Sequence, residues 1–297
     1  MSANHADSLT LRQRLAAREI DALTLLMLPA VLFVLGLFVY PFLYGLWLSF
    51  HPKEGGPLAN YLVFFSDKFL YGTISTTLAL ALPVTVLNLA LALPIAMRVR
   101  LMRNQRVLTT ILIVPITLGT VLIAQGLLNY LGPQGWLNRT LMAIGLINEP
   151  LKLLHNYWGV FIAMVIAGFP FTFLLTLSYI SGIDPALENA AATLGAGPWE
   201  RFRRILLPLL VPGMAITFCL TFVQEFSVFP SAVLLGAPAG PTRVISIAAY
   251  QAAVEQYDYS MASAIAMIMG CVLLAVVTAV LSLRGLFYRG SVAAAKG

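Results

Sequence analysis

The sequence has few charged residues and almost no cysteine. Asp, Glu, Lys and Arg together make up 10% of the 297 residues, whereas 60% are hydrophobic. A soluble domain is nearer to a quarter charged. The scarcity of charge therefore excludes an ordinary soluble protein and predicts a polytopic membrane protein. Both cysteines, Cys219 and Cys271, fall in apolar segments, so we interpret them as small buried side chains and not as a disulfide framework.

The motifs of common catalytic and metal sites are also missing. The three histidines, His5, His51 and His155, are far apart, and there is no HExxH, no CxxC and no glycine-rich nucleotide loop. No nucleophile is paired with a positioned base. We therefore expect no catalytic residues, no metal site, no cofactor and no nucleic-acid partner. If ATP drives this protein, another chain binds the ATP and its Mg²⁺.

A cleavable signal peptide is not expected either. The first 21 residues are polar, and the apolar run that follows is too long for a signal sequence. That run is the first of six segments long enough to cross the hydrocarbon of a bilayer, which takes about 20 helical residues. By residue number the six segments are 23–50, 73–97, 107–128, 157–180, 209–232 and 261–283. Their continuous hydrophobicity predicts helices and not barrel strands.

Lys and Arg are unevenly distributed between the two sides of these spans. Thirteen belong to the two termini and the loops after the second and fourth spans: Arg12, Arg14, Arg18, Arg98, Arg100, Arg103, Arg106, Arg201, Arg203, Arg204, Arg284, Arg289 and Lys296. Five lie on the opposite side: Lys53, Lys68, Arg139, Lys152 and Arg243. Positive residues concentrate on the cytoplasmic side of membrane proteins. Both termini are therefore predicted to be cytoplasmic.

Three features interrupt the apolar pattern. Residues 136–147 are apolar but too short to span, which predicts an interfacial or re-entrant helix anchored by Trp136. Pro83, Pro94, Pro115 and Pro170 lie inside predicted spans, where kinks are expected. The external loops are rich in Gly and Pro turn signals.

Glu225 is the one clear ionisable residue inside a predicted span, toward its outer end. A charge in the membrane interior costs about 2.5–3.5 kcal/mol on insertion scales and marks a functional site by default. One hypothesis is therefore a substrate pathway that includes Gln224, Glu225 and Ser227. The alternative is a structural carboxylate, protonated or hydrogen-bonded to a neighbouring helix.

The stretch from Pro185 to Gly213 lies between the fourth and fifth spans and has a composition of its own. Asp184 and Pro185 predict a helix start, a run of alanines follows, and Gly195 predicts the end of that helix. A second helical stretch carries Arg201 and continues to two prolines at 208 and 212. These prolines are predicted to separate it from the fifth span.

This stretch resembles the cytoplasmic EAA loop of permease subunits in binding-protein-dependent ABC importers of type I. The family pattern is Glu-Ala-Ala, three residues, Gly, nine residues and Ile-x-Leu-Pro. Here Gly195 is followed by nine residues and then Ile205-Leu206-Leu207-Pro208, whereas Asn189-Ala190-Ala191 replaces Glu-Ala-Ala, with Glu188 one place earlier. The resemblance extends to the six spans and to Tyr40-Pro41-Phe42 in the first.

The resemblance implies a fold and a set of partners. It implies an all-α membrane protein with a MetI-like bundle: a tail at 1–22, a first helix and external loop at 23–70, a five-helix transport core at 71–290 and a tail at 291–297. Within the core, the loop 183–208 would couple to an ATPase through Glu188, Asn189, Ala190, Ala191, Gly195, Ala196, Arg201 and Pro208. The implied partners are the bilayer of a bacterial inner membrane, a second permease in a heterodimer, two ATP-binding subunits and an extracytoplasmic substrate-binding protein.

The implied function is transport, without enzymatic activity in this chain. Leu194-Gly195 and Glu225-Phe226 are similar to the spermidine/putrescine branch, which favours a polyamine substrate, with a sugar as the main alternative. Two rival classes share the six-span pattern. A membrane scaffold would also have a docking loop, and an ion-coupled carrier would use Glu225 and respond to a gradient instead of ATP.

Overall fold

The computed structural model describes residues 22–287, with side chains described for residues 26–284. Five of the Lys and Arg residues counted on the predicted cytoplasmic side lie outside the described residues: Arg12, Arg14, Arg18, Arg289 and Lys296. Within the described part, six helices are long and apolar enough to cross a membrane. The all-α, six-span fold class predicted from the sequence is confirmed.

Eleven helices occur between residues 22 and 287, and we number them in chain order. The spanning helix α1 comprises Ala22–Val34, a π-helical turn at Leu35–Val39, and Tyr40–Ser49. The spanning helices α3, α4, α6 and α11 are Lys68–Val99, Gln105–Leu131, Tyr157–Ser181 and Tyr259–Phe287. The spanning helix α8 comprises Pro198–Arg201, a π-helical turn at Phe202–Leu206, and Leu207–Phe226. The shorter helices α2, α5, α7 and α9 are Ala59–Ser66, Trp136–Ala143, Pro185–Thr193 and Pro230–Leu234, and α10 is Ile245–Tyr250 extended by Gln251–Glu255.

Helices α3, α6 and α8 form the centre of the bundle and pack against one another most extensively. Toward the ends of α3 and α6 that lead into the α3–α4 and α6–α7 connections, their apolar side chains form one cluster, which includes Ala96, Ile180 and Leu206. Helix α4 packs on α6 and α9, and α11 packs on α8, α10 and the Tyr40–Ser49 part of α1. Most of the buried polar residues of the described spans belong to α3, α6 and α8.

Helix α1 lies at the edge of this bundle. Every described side chain from Leu26 to Tyr44 is exposed, and contact with the bundle is made by the last part of the helix. Exposed apolar residues on a membrane-spanning helix suit the hydrocarbon of the bilayer. Cys271 of α11 is also exposed, so its interpretation as a buried side chain is wrong, whereas Cys219 is buried as expected.

Helix α8 corrects two expectations about the fifth span. The prolines at 208 and 212 do not separate it from the preceding stretch, because one helix runs from Pro198 to Phe226. Before Pro208 the helix widens into its π-helical turn, in which Leu207 donates its N–H to the carbonyl of Phe202. A proline crowds the carbonyl four residues before it, and a wider turn there accommodates that carbonyl.

The same helix ends earlier than expected, at Phe226 instead of residue 232. Phe229 leaves the helical region with φ −135°, since a residue directly before a proline is disfavoured in α conformation. Pro230 then begins the short helix α9. Glu225 consequently lies in the last turn of α8.

Helix α4 is broken in its middle by Gly119, which has φ +75° and ψ 160°. The break falls four residues beyond Pro115, where the sequence predicted a kink. Glycine adopts a positive φ without the steric penalty of other residues. Non-helical backbone at membrane depth occurs where it is buried in protein or lines a cavity, and the residue after the break does line one.

Candidate functional site

Helix α7 is defined by its own capping groups. The Asp184 carboxylate accepts the N–H of Ala186 at 2.8 Å, and Pro185 occupies the first helical position. At the other end the N–H of Ala196 bonds the carbonyl of Ala191, and the N–H of Gly195 bonds that of Ala192, both at 3.0 Å. This pair of bonds is a Schellman motif, which requires a left-handed residue. The helix predicted from residue 185 to Gly195 is therefore formed by local interactions.

Gly195 has φ +84°, and a Cβ placed on it would meet no atom of this chain within 4 Å. Its small size is thus not required by packing within the protein. Its conformation is required, because a left-handed backbone costs about 1–2 kcal/mol for residues other than glycine. Gly195 holds the turn that joins α7 to α8.

The surface of this loop is open to solvent over most of its length. Asn189, Ala190 and Pro208 are exposed, while Ala191 and Ala196 are half-buried. Leu194 and Trp199 are 88% and 70% exposed, respectively. From the sequence we considered the small residues of this loop and missed Leu194 and Trp199. The pair could have been recognised as two bulky apolar side chains in an otherwise small and polar stretch. Exposed apolar side chains of this kind mark contact surfaces.

Glu188 faces inward, unlike its neighbours. Its carboxylate forms an ion pair with the Arg100 guanidinium at the end of α3. The pair borders a cavity of about 590 Å³ between α7, the end of α3 and the start of α8, which Asn189 and Arg201 also line. The Nε atoms of Arg100 and Arg201 are buried without a hydrogen-bond partner among the described residues. The loop residues predicted from the sequence therefore divide into an inward set and an exposed set.

Glu225, at the other end of α8, is 4% exposed. Its carboxylate lies over Gly168 of α6, where there is no room for a methyl group: a Cβ on Gly168 would be 1.8 Å from Oε1 of Glu225 and 2.9 Å from Nδ2 of Asn88. Helices α3, α6 and α8 meet at this point. Gly168 is required because two polar side chains occupy the space that any larger residue would fill.

Hydrogen bonding around Glu225 is incomplete. Oε1 of Glu225 and both polar side-chain atoms of Asn88 are buried and bond no other described residue. One turn away, the hydroxyls of Thr172 and Thr221 bond each other at 3.1 Å, and Thr172 also donates to the carbonyl of Gly168 at 3.1 Å. Leaving a buried polar group unsatisfied costs about 1–3 kcal/mol. The three-helix junction therefore retains unused hydrogen-bonding capacity.

A small cavity of about 90 Å³ adjoins this junction and is lined by Gln224, Glu225 and Ser227 together. Thr120 lines it from α4, directly after the break at Gly119. Gln224 and Ser227 are exposed, and the Ser227 hydroxyl donates to the carbonyl of Val223 at 2.9 Å. The structure thus brings the three predicted residues to one cavity.

Three further residues at this site were missed from the sequence: Asn88, Gly168 and Thr120. Asn88 could have been recognised from the sequence, since an amide inside an apolar span needs a hydrogen-bond partner. Gly168 and Thr120 could not have been recognised, because their roles depend on which helices become neighbours.

The chain is similar to several permeases. It is 34% identical over 152 residues to the probable sulfate transport system permease protein cysT of Prototheca wickerhamii, covering 51% of this chain and 57% of the relative. It is 30% identical over 276 residues to the trehalose/maltose transport system permease protein MalF of Thermococcus litoralis, covering 87% and 92%. It is 29% identical over 205 residues to the spermidine/putrescine transport system permease protein PotB of Haemophilus influenzae, covering 66% and 71%. The matches to cysT thus span little more than half of that relative's length.

Solved structures share the fold. A chain from the crystal structure of a bacterial alginate ABC transporter, in complex with an alginate pentasaccharide-bound periplasmic protein, superposes with a TM-score of 0.79 at 23% identity, over 95% of this chain and 99% of the other. A chain of the MetNI methionine ABC transporter in an inward-facing conformation gives 0.58 at 15% identity, over 74% and 96%. At these identities the likeness shows the fold alone. Residues 55–291 match the family described as binding-protein-dependent transport system inner membrane component, and the chain belongs to that family.

Proposed function

We propose that this chain is the permease subunit of an ATP-driven importer and forms half of its substrate pathway. A second permease, in a heterodimer, forms the other half. Two ATP-binding subunits bind ATP and Mg²⁺ and carry out hydrolysis, and an extracytoplasmic binding protein delivers the substrate. The membrane is a bacterial inner membrane, with both termini and α7 on the cytoplasmic side, as the Lys and Arg distribution favours.

The main support for this proposal is the structure and exposure of α7. It is a short helix with both ends capped, presented between two spans with Asn189, Leu194 and Trp199 exposed. A helix that is ordered by its own caps can be held in a partner's groove without a large entropic cost of ordering. The ATP-binding subunit is the partner that an importer permease requires at this position.

Helix α8 supplies the mechanical connection. Its 29 residues from Pro198 to Phe226 extend about 43 Å at 1.5 Å per residue, from the α7 turn to the cavity at Ser227. Because Pro208 and Pro212 do not divide it, a displacement of α7 moves α8 as one body. Closure of the ATP-binding subunits would thereby change the access of the Gln224 and Ser227 cavity to one side of the membrane.

The chemistry of that cavity favours a neutral, hydroxyl-rich solute such as a sugar. Its exposed polar groups are the amide of Gln224 and the hydroxyls of Thr120 and Ser227, whereas its carboxylate, Glu225, is almost fully buried. Amides and hydroxyls donate to and accept from sugar hydroxyls. Polyamine, which the sequence favoured, becomes the second candidate, because a movement that exposes Glu225 would offer a carboxylate to an ammonium group.

The test begins with affinity purification of the tagged permease from its native host. We expect an ATP-binding subunit to be recovered with it, and recovery to fall when Leu194 and Trp199 are both replaced by Ser. A permease recovered without any ATPase would contradict the proposal and favour a scaffold. Uptake in vesicles that follows an ion gradient, and is unaffected by loss of ATP, would favour an ion-coupled carrier.

The substrate is tested separately on the cognate binding protein. Its thermal unfolding is measured with trehalose, maltose, alginate oligosaccharide, spermidine, putrescine and sulfate. We expect stabilisation by a saccharide, since binding to the folded state alone raises the unfolding temperature. Stabilisation by spermidine or putrescine alone would assign the polyamine branch instead.

A further inference from the structure

The ion pair between Arg100 and Glu188 joins two parts of the chain that are 88 residues apart in sequence. Two other ion pairs occur among the described residues, Lys53 with Asp258 and Glu200 with Arg204. Neither of these involves α7. Within residues 26–284, the Arg100–Glu188 pair is therefore the only ion pair that involves α7. It joins α7 to α3, a spanning helix that does not neighbour α7 along the chain.

The pair is shielded from solvent. The side chains of Arg100 and Glu188 are 10% and 19% exposed, whereas those of Arg204 and Glu200 are 76% and 47% exposed. Exposed ion pairs contribute little, because water and salt screen them. A shielded pair interacts more strongly, and removal of one partner leaves the other charge without compensation.

Both residues are fixed to their helices. Arg100 follows the last residue of α3, keeps helical backbone angles and donates its N–H to the carbonyl of Ala96 at 3.0 Å. Glu188 lies in the first turn of α7, where a carboxylate is favoured by the helix dipole. The ion pair therefore connects two ordered helices, and neither residue belongs to a flexible arm.

The ion pair provides a contact that the order of the helices along the chain does not. Helix α7 is joined by the backbone to α6 and α8 only, while α3 enters the same apolar cluster through Ala92, Ala96 and Val99. The extensive helix–helix contacts of α7 within the described residues are with the start of α8, and the ion pair adds a direct attachment to α3. With it, all three helices of the central bundle are attached to α7.

We propose that Arg100 is a positioning residue that attaches α7 to α3 through Glu188, so that a displacement of α7 moves α3 together with α8. The proposal rests on the proposed function, in which α7 receives the motion of the ATP-binding subunit. It also gives Glu188 a role within this chain: its carboxylate serves an internal contact, and the neutral Asn189 is left exposed beside it.

The test is a charge exchange in the complete purified complex, reconstituted into vesicles. Arg100→Glu and Glu188→Arg are made separately and together, and substrate uptake is measured per ATP hydrolysed. We expect each single variant to lower this ratio about tenfold and the double variant to recover most of it, as coupling energies of contacting charges allow. Glu200→Gln, which breaks the exposed pair, and Arg103→Glu, an exposed arginine of the same α3–α4 connection, are the matched controls and should leave the ratio within about twofold.

The outcomes separate the two proposals. If the wild-type permease brings no ATPase, the proposed function fails. If the ATPase is present but the single variants keep the wild-type ratio, or the double variant is no better than the single ones, the role of Arg100 is overturned. A merely structural role would lower ATPase recovery, ATP hydrolysis and uptake together and leave the uptake per ATP hydrolysed unchanged.

A second measurement applies if the single variants do not fold. Arg100→Cys and Glu188→Cys are combined in a chain with Cys219→Ala and Cys271→Ala, and a short bifunctional thiol reagent joins the two new cysteines. We expect the cross-linked protein to keep its uptake, because the proposal holds α7 and α3 together throughout transport. Loss of uptake on cross-linking, restored by a cleavable reagent, would overturn it.

Discussion

The two ends of helix α8 present opposite kinds of polar site. Near Pro198, the α7 turn has satisfied backbone groups and exposes its side chains. Near Phe226, Glu225 is buried among α3, α6 and α8 with hydrogen-bonding capacity unused. The first end is suited to a partner from outside the chain. The second is suited to a change of contacts within it, because an unsatisfied buried group raises the free energy of the present arrangement and favours another that satisfies it.

This difference has a physical basis. A capped helix and a Schellman turn are stabilised by groups close in sequence, so they hold their shape whatever the bundle does. The Glu225 junction exists only while three spanning helices keep their relative positions. The backbone shape of the α7 turn should therefore change only when a capping residue or the left-handed Gly195 is replaced, whereas the Glu225 end should be sensitive to any change in volume.

The largest effect is expected at Gly168. Gly168→Ala places a methyl group 1.8 Å from the Glu225 carboxylate, and overpacking of this kind destabilises a core by about 1–3 kcal/mol. Thermal unfolding of the purified complex should occur at a lower temperature, and uptake should be lost. The matched control is Gly270→Ala in α11, where a Cβ meets nothing within 4 Å. Equal unfolding temperatures for the two variants would contradict the packing described for Gly168.

A smaller effect is expected at Gly195, which tests the α7 end. Gly195→Leu forces a β-carbon into a left-handed conformation at a cost of about 1–2 kcal/mol, which is a tenfold effect or somewhat more. We expect uptake to fall by that factor while ATP hydrolysis continues. Gly197→Leu is the control, because Gly197 has φ −67° and open space around it. If both variants transport equally, or Gly195→Leu leaves uptake and hydrolysis intact, the turn has no coupling role.

Glu225→Gln keeps the volume of the side chain and removes the acid, so it separates packing from chemistry at the buried end. Oε1 of Glu225 bonds no other described residue in this arrangement, so the change should act on a bond made during transport. We expect uptake to fall about fivefold, the equivalent of roughly one hydrogen bond. Assembly with the ATPase should not change. Uptake kinetics measure the effect, with the exposed Glu255→Gln as the control. An unchanged affinity and rate would remove Glu225 from the pathway.

The smallest effect is expected at Asn189. Asn189→Glu restores the carboxylate of the family pattern on an exposed position, and surface substitutions usually change stability by less than about 0.5 kcal/mol. Uptake should stay within about twofold of the wild type. Ala191→Glu, two residues along on a half-buried position, should reduce uptake more. A severe loss for Asn189→Glu alone would show that position 189 must be neutral.

Much of this architecture could be predicted from the sequence. The six spans follow from continuous apolar runs, since a bilayer selects length and hydrophobicity directly. Asp184, Pro185 and Gly195 predicted the limits of α7, because capping depends on residues within one turn of each other. Phe226, by contrast, was not recognised as the end of α8. Phe229, which precedes Pro230, signals a boundary three residues further on, but the apolar residues around it obscured that signal.

The sequence by itself therefore determined the class of protein, the number of spans and the α7 turn, all of which depend on local hydrophobicity and local backbone conformation. Only the tertiary structure decided that α8 is continuous across Pro208, that Gly168 makes room for Glu225 and Asn88, and that Glu188 bonds Arg100. These contacts join residues distant in the chain. Which of them form is settled by how the spanning helices pack, because a helix fixes the direction of its side chains but not the identity of its neighbours.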